Sequence, residues 1–400
     1  MIVEIKKGIA RGVCVAPPSK SMAHRLLMCG AFSKESKISG VEFSEDIKAT
    51  LDCLLALGAR VEINGDTVTV GGLCPERCEE TTLPCRESGS TLRFFLPLCL
   101  LSTAEKTLKG SARLLERPQS VYEDICKKQG LLFQKEDGAI KVGGTLSAGE
   151  YRVRADISSQ FITGLMFALS RKSEDSKIIL EGKSESLSYI DLTIKAFSDF
   201  GVKIEKDNDG YYIRGGQKFL SREITVEGDY SNAAFFDALN VLGGSVEMKK
   251  LSPDSLQGDR VYKKLFTKLG TDEPIDLTDC PDLAPVLFAL AAVKGKTQFV
   301  GTRRLKIKES DRASAMKTEL AKFGVQVEVE DNSVTVFGGK ITPPTDIICG
   351  HNDHRIVMAL SLLCTKTGGK IAGAEAVGKS LPDFFLRLSE LNITAEVYPD

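Results

Sequence analysis

Leu51-Asp52-Cys53-Leu54-Leu55-Ala56-Leu57-Gly58, then Ala59-Arg60-Val61-Glu62-Ile63, closing at Gly71-Gly72, is the first copy of the pattern that decides the fold. An amphipathic run ends at glycine, an alternating segment follows, and a glycine pair stops it, so the order predicts helix, then strands. Further copies run from Val121 through Gly130 to Gly143-Gly144, and from Asp191 through Gly201 to Gly215-Gly216. A weaker fourth passes through Gly270, and a fifth runs from Ala315 through Gly324 to Gly338-Gly339. A sixth, Phe384 to Asn392, runs into Ile393-Thr394-Ala395-Glu396-Val397 near the end of the sequence. The glycines at 58, 130, 201, 270 and 324 are 72, 71, 69 and 54 residues apart. That period is too long for a thin solenoid unit and fits a compact βαβαββ module used six times. Each glycine is expected to end a helix in the left-handed conformation that a Cβ resists.

Every module also holds a helix that is apolar nearly all round: Met22–Phe32, Thr91–Leu101, Phe161–Leu169, Asn232–Leu242, Leu283–Val293 and Arg355–Cys364. Helices without a polar face belong in an interior, and the alternating segments supply sheets to wrap them. The expected fold is therefore α/β, with two similar domains of three modules. In each, parallel buried helices lie inside a sheet shell, an inside-out α/β barrel. The sixth module is short of strands, while the chain opens with the spare strand-like Val3-Glu4-Ile5-Lys6. The N-terminal strand is therefore expected to complete the last module. One domain would comprise residues 1–18 plus 229–400 and the other residues 19–228, with the active site in the cleft between them.

Four hundred residues, 42% hydrophobic and 27% charged, are enough for two such cores. A formal net charge of −1 gives no support to nucleic-acid binding, so any basic site must be local. The opening residues are too few and too charged for a signal peptide, and no apolar run approaches the ~18 residues of a membrane span. The eleven cysteines then read as reduced thiols of a soluble cytoplasmic protein. Cys74, Cys78 and Cys85 lack the paired spacing and fourth ligand of a zinc site and are expected to be loop thiols.

Polar residues precede each buried helix: Ser19-Lys20-Ser21, Ser88-Gly89-Ser90, Ser158-Ser159-Gln160, Tyr230-Ser231, Pro281-Asp282 and Asn352-Asp353-His354-Arg355. Capping alone would select Ser, Asp and Asn there. It does not account for Lys20, Arg25, Arg93 and Arg355 in or beside a first turn, where the helix dipole disfavours cations unless an anion is bound. Further basic groups are Arg113 with Arg117, Lys379, and the run Arg303, Arg304, Lys306, Lys308 and Arg312. A charge run is ordinarily a solvated face. Glu309 and Asp311 interleave with the last run, however, and a carboxylate held among cations can be positioned for proton transfer.

Pro18-Ser19-Lys20-Ser21-Met22-Ala23-His24-Arg25 and Glu87-Ser88-Gly89-Ser90-Thr91-Leu92-Arg93 resemble the first two motifs of the enolpyruvylshikimate-phosphate synthases. The resemblance continues in order through Glu116-Arg117-Pro118, Ser158-Ser159-Gln160, Ser186 with Tyr189, Asp282, Lys308-Glu309-Ser310-Asp311-Arg312, Asn352-Asp353-His354-Arg355 and Lys379. It implies the same two-domain fold and transfer of an enolpyruvyl group from phosphoenolpyruvate to the 5-hydroxyl of shikimate 3-phosphate, in aromatic amino-acid biosynthesis. It assigns shikimate 3-phosphate to Lys20, Ser21, Arg25, Ser158, Ser159, Gln160, Ser186, Asp282 and Lys308. Phosphoenolpyruvate falls to Lys20, Gly89, Arg117, Gln160, Arg312, Arg355 and Lys379. Asp282 would accept the hydroxyl proton and Glu309 protonate the methylene carbon, with Lys20 as a third catalytic group.

Such chemistry needs an acid, a base and many cations, so no metal and no cofactor is expected. A monomer acting on small molecules, without nucleic acid or membrane, completes the expectation. The family's inhibitor glyphosate competes with phosphoenolpyruvate, which makes the chain a glyphosate target. Three positions depart from the family pattern: Glu87 where Asn is common, Phe94 where Pro is common, and Arg304 where many members carry Asn. The sister transferase acting on UDP-N-acetylglucosamine reads Lys-Asn where Lys20-Ser21 stands. It also carries a loop cysteine that Ser111–Pro118 lacks. A non-catalytic phosphate-ligand binding relative would not require both Asp282 and Glu309. The pair His351 and His354 flanks a helix start and reads as capping and substrate contact, not as a metal site.

Overall fold

The computed structural model describes residues 1–154, 156–182 and 185–398. Pro399 and Asp400, the end of the range expected for the second domain, lie outside them. The chain divides into two compact units, Pro18–Glu227 and Met1–Pro17 with Gly228–Asp400. Each has a separate hydrophobic core.

In the Pro18–Glu227 unit the helices Lys20–Phe32, Gly89–Cys99 and Ser159–Leu169 are buried along nearly their whole length. Burying each large apolar side chain is worth about 1.5–3 kcal/mol, which is why an all-apolar helix goes inside. The outer helix Ser120–Gln129 instead buries a single stripe, Val121, Tyr122, Ile125 and Cys126. Among the described residues three four-stranded sheets cover this core, all on one plan: a parallel pair, then an antiparallel hairpin. Thus Thr81–Arg86 runs parallel to Lys106–Gly110, which pairs antiparallel with Ala139–Gly143, itself antiparallel to Leu132–Glu136.

The other unit buries Tyr230–Val241, Ala284–Lys294 and His354–Thr367. The sheet of Ile275–Asp276, Thr297–Val300, Ser333–Phe337 and Gln326–Val329 repeats the plan. So does the last sheet, in which Ile2–Ile5 lies antiparallel between Gly369–Ala372 and Ala395–Tyr398, with Val3 and Ile5 fully buried. The fourth module departs from it. Among the described residues its sheet has two strands, Arg11–Val15 parallel to Ser245–Lys249. The chain then passes through Pro253 and Gly258 into short helical turns, without the alternation a hairpin needs. This absence is why the fourth repeat is weak.

The five repeat glycines all adopt positive φ, from +66° at Gly130 to +87° at Gly58. Cys74 and Cys78 flank a short turn, but Cys85 is not a loop thiol. It points inward from the strand Thr81–Arg86 and is fully buried, because alternation sends every second residue of that strand to the core. Among the described residues no helix is long and apolar enough to cross a membrane.

Candidate active site

In the unit containing the N-terminus, the starts of two buried helices and of one outer helix converge on one ionic network. The turn Pro281–Leu283 carries Asp282 at the head of Ala284–Lys294. Arg312 opens the helix Arg312–Lys322, and Arg355 lies in the first turn of His354–Thr367. Asp282 Oδ1 accepts from Arg312 Nη1 at 2.8 Å and Lys308 Nζ at 3.2 Å, while Oδ2 accepts from Arg355 Nη2 at 3.1 Å. Arg312 also donates to Glu309 Oε2 and to Asp353 Oδ2, both at 2.9 Å. Arg355 Nη1 donates to Ser231 Oγ at 2.6 Å. Lys379 Nζ reaches the carbonyl of Asn352 at 2.7 Å, beside the same helix start.

The electrostatics follow from this packing. Burial pushes the Asp282 carboxyl up, but Arg355, Lys308 and Arg312 outweigh it and hold the group well below the usual carboxylate range. Burial lowers Lys308 to about 8 against the pull of Asp282. Arg312 is buried too, yet Asp353, Glu309 and Asp282 raise it above an ordinary guanidinium, so it stays charged. Asp353 is doubly used, since its side chain also caps its helix through the Arg355 N–H at 2.9 Å.

In the Pro18–Glu227 unit, Ser19, Ser88 and Ser158 cap the three buried helices. Lys20 Nζ pairs with Asp46 at 2.7 Å. Arg25 is buried, donating to the Ser21 carbonyl at 2.6 Å, the Tyr189 carbonyl at 2.9 Å and Thr193 Oγ1 at 2.9 Å. Desolvation lowers it to about 10. Arg25 thereby ties the Lys20–Phe32 helix to Leu187–Asp199, whose N-cap is Ser186 at φ +57°. Gln160 accepts from Arg93 Nη1 at 2.7 Å and donates to Ser90 Oγ at 3.0 Å. Ser159 is buried beside it. Gly89 faces Arg117, whose Nη1 would stand 2.6 Å from a Cβ there.

Motif residues thus fall into two sets, one per unit. Asp282, Lys308, Glu309, Arg312, Arg355 and Lys379 belong to one. Lys20, Ser21, Arg25, Gly89, Arg117, Ser158, Ser159, Gln160 and Ser186 belong to the other. Asp46 and Asp259 escape the sequence reading. Asp46 looks like an ordinary first-turn acid of Glu45–Ala56, and Gln257-Gly258-Asp259-Arg260 carries no periodic signal. Phe94 lies in the helix Gly89–Cys99. It is buried against Phe167 at 5.7 Å between ring centroids, and the Arg25 guanidinium stacks on it at 5.4 Å. Among the described residues no group of three or more His, Cys, Asp or Glu is placed to hold a metal ion.

Solved structures share this architecture. An EPSP synthase from Acinetobacter baumannii superposes with a TM-score of 0.79 at 23% identity, covering 99% of this chain and 100% of that one. The enolpyruvyl transferase NikO from Streptomyces tendae gives 0.77 at 15% identity, covering 99% and 98%. At such identities the likeness shows the fold. Sequence comparison goes further: the model of the EPSP synthase family (3-phosphoshikimate 1-carboxyvinyltransferase) matches residues 5–388, and the chain belongs to that family. Two 3-phosphoshikimate 1-carboxyvinyltransferases, from Clostridium kluyveri and Clostridium novyi, are each 38% identical to it. The first match covers 96% of this chain and 95% of the relative, the second 92% of each.

Proposed function

We propose that this chain transfers the enolpyruvyl group of phosphoenolpyruvate to the 5-hydroxyl of shikimate 3-phosphate, releasing phosphate, and that both sets of motif residues serve this one reaction. The observation that carries the reading is the shared grip on two carboxylates. Arg312 bonds Asp282 and Glu309 at once, and Lys308 and Arg355 close on Asp282 from other sides. A base and an acid are thus held by groups that also attract a phosphate and a carboxylate.

The steps follow from those positions. The acceptor hydroxyl oxygen bonds to C2 of the enol, its proton passes to Asp282, and C3 takes a proton from Glu309. The product is a tetrahedral ketal phosphate. The C2–O bond to phosphate then breaks with its electrons on the leaving phosphate, C3 returns its proton, and the enol ether remains. With its cations unshared, Asp282 is a charged but weak base. Substrate anions that divide the field of Arg312, Arg355 and Lys308 make it more basic when the hydroxyl arrives. Lys20, Gly89, Arg117 and Gln160 supply further donor contacts, while Ser21, Arg25, Ser158, Ser159 and Ser186 supply acceptor contacts. A monomer and a cytoplasmic setting accompany this reading.

Glu309→Gln and Asp282→Asn are expected to cut kcat about 100-fold or more while KM changes far less. Arg117→Ala and Arg355→Lys, one from each unit, should both raise KM for phosphoenolpyruvate. Steady-state kinetics with phosphate release as the readout decides it. Full turnover in either carboxylate variant would remove that residue from the mechanism.

A further inference from the structure

In the Pro18–Glu227 unit a buried chain of side-chain hydrogen bonds joins the helix Lys20–Phe32 to the start of Gly89–Cys99. His24 Nδ1 lies 2.8 Å from Thr50 Oγ1, which lies 2.8 Å from Thr91 Oγ1. Thr91 Oγ1 donates to Ser88 Oγ at 2.7 Å, and Ser88 Oγ accepts from the Thr91 N–H at 3.2 Å as the helix cap. None of the four residues is more than 1% exposed. The outer helix Glu45–Ala56 supplies the middle link, and it does so in register. Asp46 and Thr50 are one turn apart on it, as Lys20 and His24 are on theirs. Asp46 takes Lys20 Nζ at 2.7 Å, Thr50 takes His24, and the Asp46 carbonyl accepts from Thr91 Oγ1 at 3.4 Å.

The chain has a direction. The Thr91 hydroxyl gives its hydrogen to Ser88, so Thr91 Oγ1 accepts from Thr50. Thr50 has then committed its own hydrogen and accepts from His24, whose Nδ1 carries the ring proton. Burial, then the charges of Lys20 and Arg25, hold this imidazole well below its usual pKa, so the ring is neutral. Nε2 is left a bare acceptor, buried and without a hydrogen-bond partner among the described residues. An apolar side chain would leave no acceptor unpaired, so packing alone does not account for a histidine here.

We propose that His24 and Thr50 are positioning residues for phosphoenolpyruvate: the chain from His24 to Ser88 sets the start of Gly89–Cys99 against that of Lys20–Phe32, and so fixes the Gly89 backbone relative to Lys20. The inference rests on Lys20 and Gly89 as phosphoenolpyruvate contacts. Arg25, assigned to the other substrate, is held separately by Thr193 and the Tyr189 carbonyl. The acceptor side should therefore respond far less than the donor side.

Thr50→Val keeps the side chain's shape and removes the hydroxyl, which breaks the chain at its middle. KM for phosphoenolpyruvate should rise about tenfold, the scale of one buried hydrogen bond left unmade, while kcat and KM for shikimate 3-phosphate change far less. Thr50→Ser keeps the hydroxyl and deletes a buried methyl. It should lower the denaturant midpoint yet hold KM for phosphoenolpyruvate near the wild-type value. A role in stability alone predicts that KM follows the midpoint in both variants. A second measurement needs no variant. The chain has three histidines, so nitrogen NMR of histidine-labelled wild-type enzyme can resolve His24, which should be neutral with its proton on Nδ1. A proton on Nε2, an unchanged KM in Thr50→Val, or a KM in Thr50→Ser as high as in Thr50→Val would overturn the proposal. Lys20→Met separates the two claims. If it raises KM for phosphoenolpyruvate and Thr50→Val does not, the positioning inference falls and the donor assignment stands. If Lys20→Met leaves that KM unchanged, the assignment falls and the inference falls with it.

Discussion

At Gly89 a Cβ would stand 2.6 Å from Arg117 Nη1 and 2.9 Å from its Cζ. The obstacle is the far end of a flexible side chain, so alanine is tolerated by the fold but displaces the guanidinium. Gly89→Ala is therefore expected to keep measurable activity and to raise KM for phosphoenolpyruvate. The inhibition constant for glyphosate should rise further, because the longer ligand needs the space that the methyl takes. Inhibition curves against phosphoenolpyruvate for both proteins check this, and equal changes in the two constants would place Gly89 outside the donor site. Residue type and order make such a position legible in the sequence. Its neighbour Arg117 lies 28 residues further along the chain, and only folding sets the distance between them.

Among elements, the site depends on how helices begin. Arg86, Ser186, and the pair His351 and Asn352 take positive φ without being glycine, and each stands at or just before a motif. Such conformations persist where the surroundings over-determine them. Arg86 follows a register shift in its strand, which turns Glu87-Ser88-Gly89 into the helix start. Closely packed helices then hold these starts in place. At Gly164 a Cβ would overlap the Arg93 carbonyl and the Tyr122 hydroxyl, which donates to Arg93 O at 2.6 Å and Phe161 O at 3.2 Å. Backbone cannot yield as a side chain can. Gly164→Ala should destabilise the protein by about 1–3 kcal/mol and loosen Arg93 from Gln160. A lower denaturant midpoint at unchanged slope would report it, and an unchanged midpoint would mean that the helices separate freely.

For the whole molecule, the decisive contacts join distant parts of the chain. Ile2–Ile5 pairs on both sides with strands more than 360 residues away, and Arg11–Val15 pairs with Ser245–Lys249. Removing residues 1–6 would leave two strand edges open and take the buried Val3 and Ile5 out of the core, each worth about 1.5–3 kcal/mol. Hydrogen exchange should then accelerate across 228–398 while 18–227 keeps its protection, because the cores are separate. Uniform acceleration over both units would contradict that independence.

The amino-acid sequence by itself determined the six-fold recurrence, the six buried helices and the kind of chemistry its motif residues can perform. Each of these depends on residue types a few positions apart, where helical and strand periods are set. The tertiary structure alone decided that the fourth sheet stops at two strands, that Cys85 is a core thiol and that Lys20 is paired with Asp46. It also decided that Arg312 bonds Asp282 and Glu309 at once. These depend on burial and on distances between charges remote in the chain, and a carboxyl's proton affinity follows its surroundings, not its neighbours in sequence.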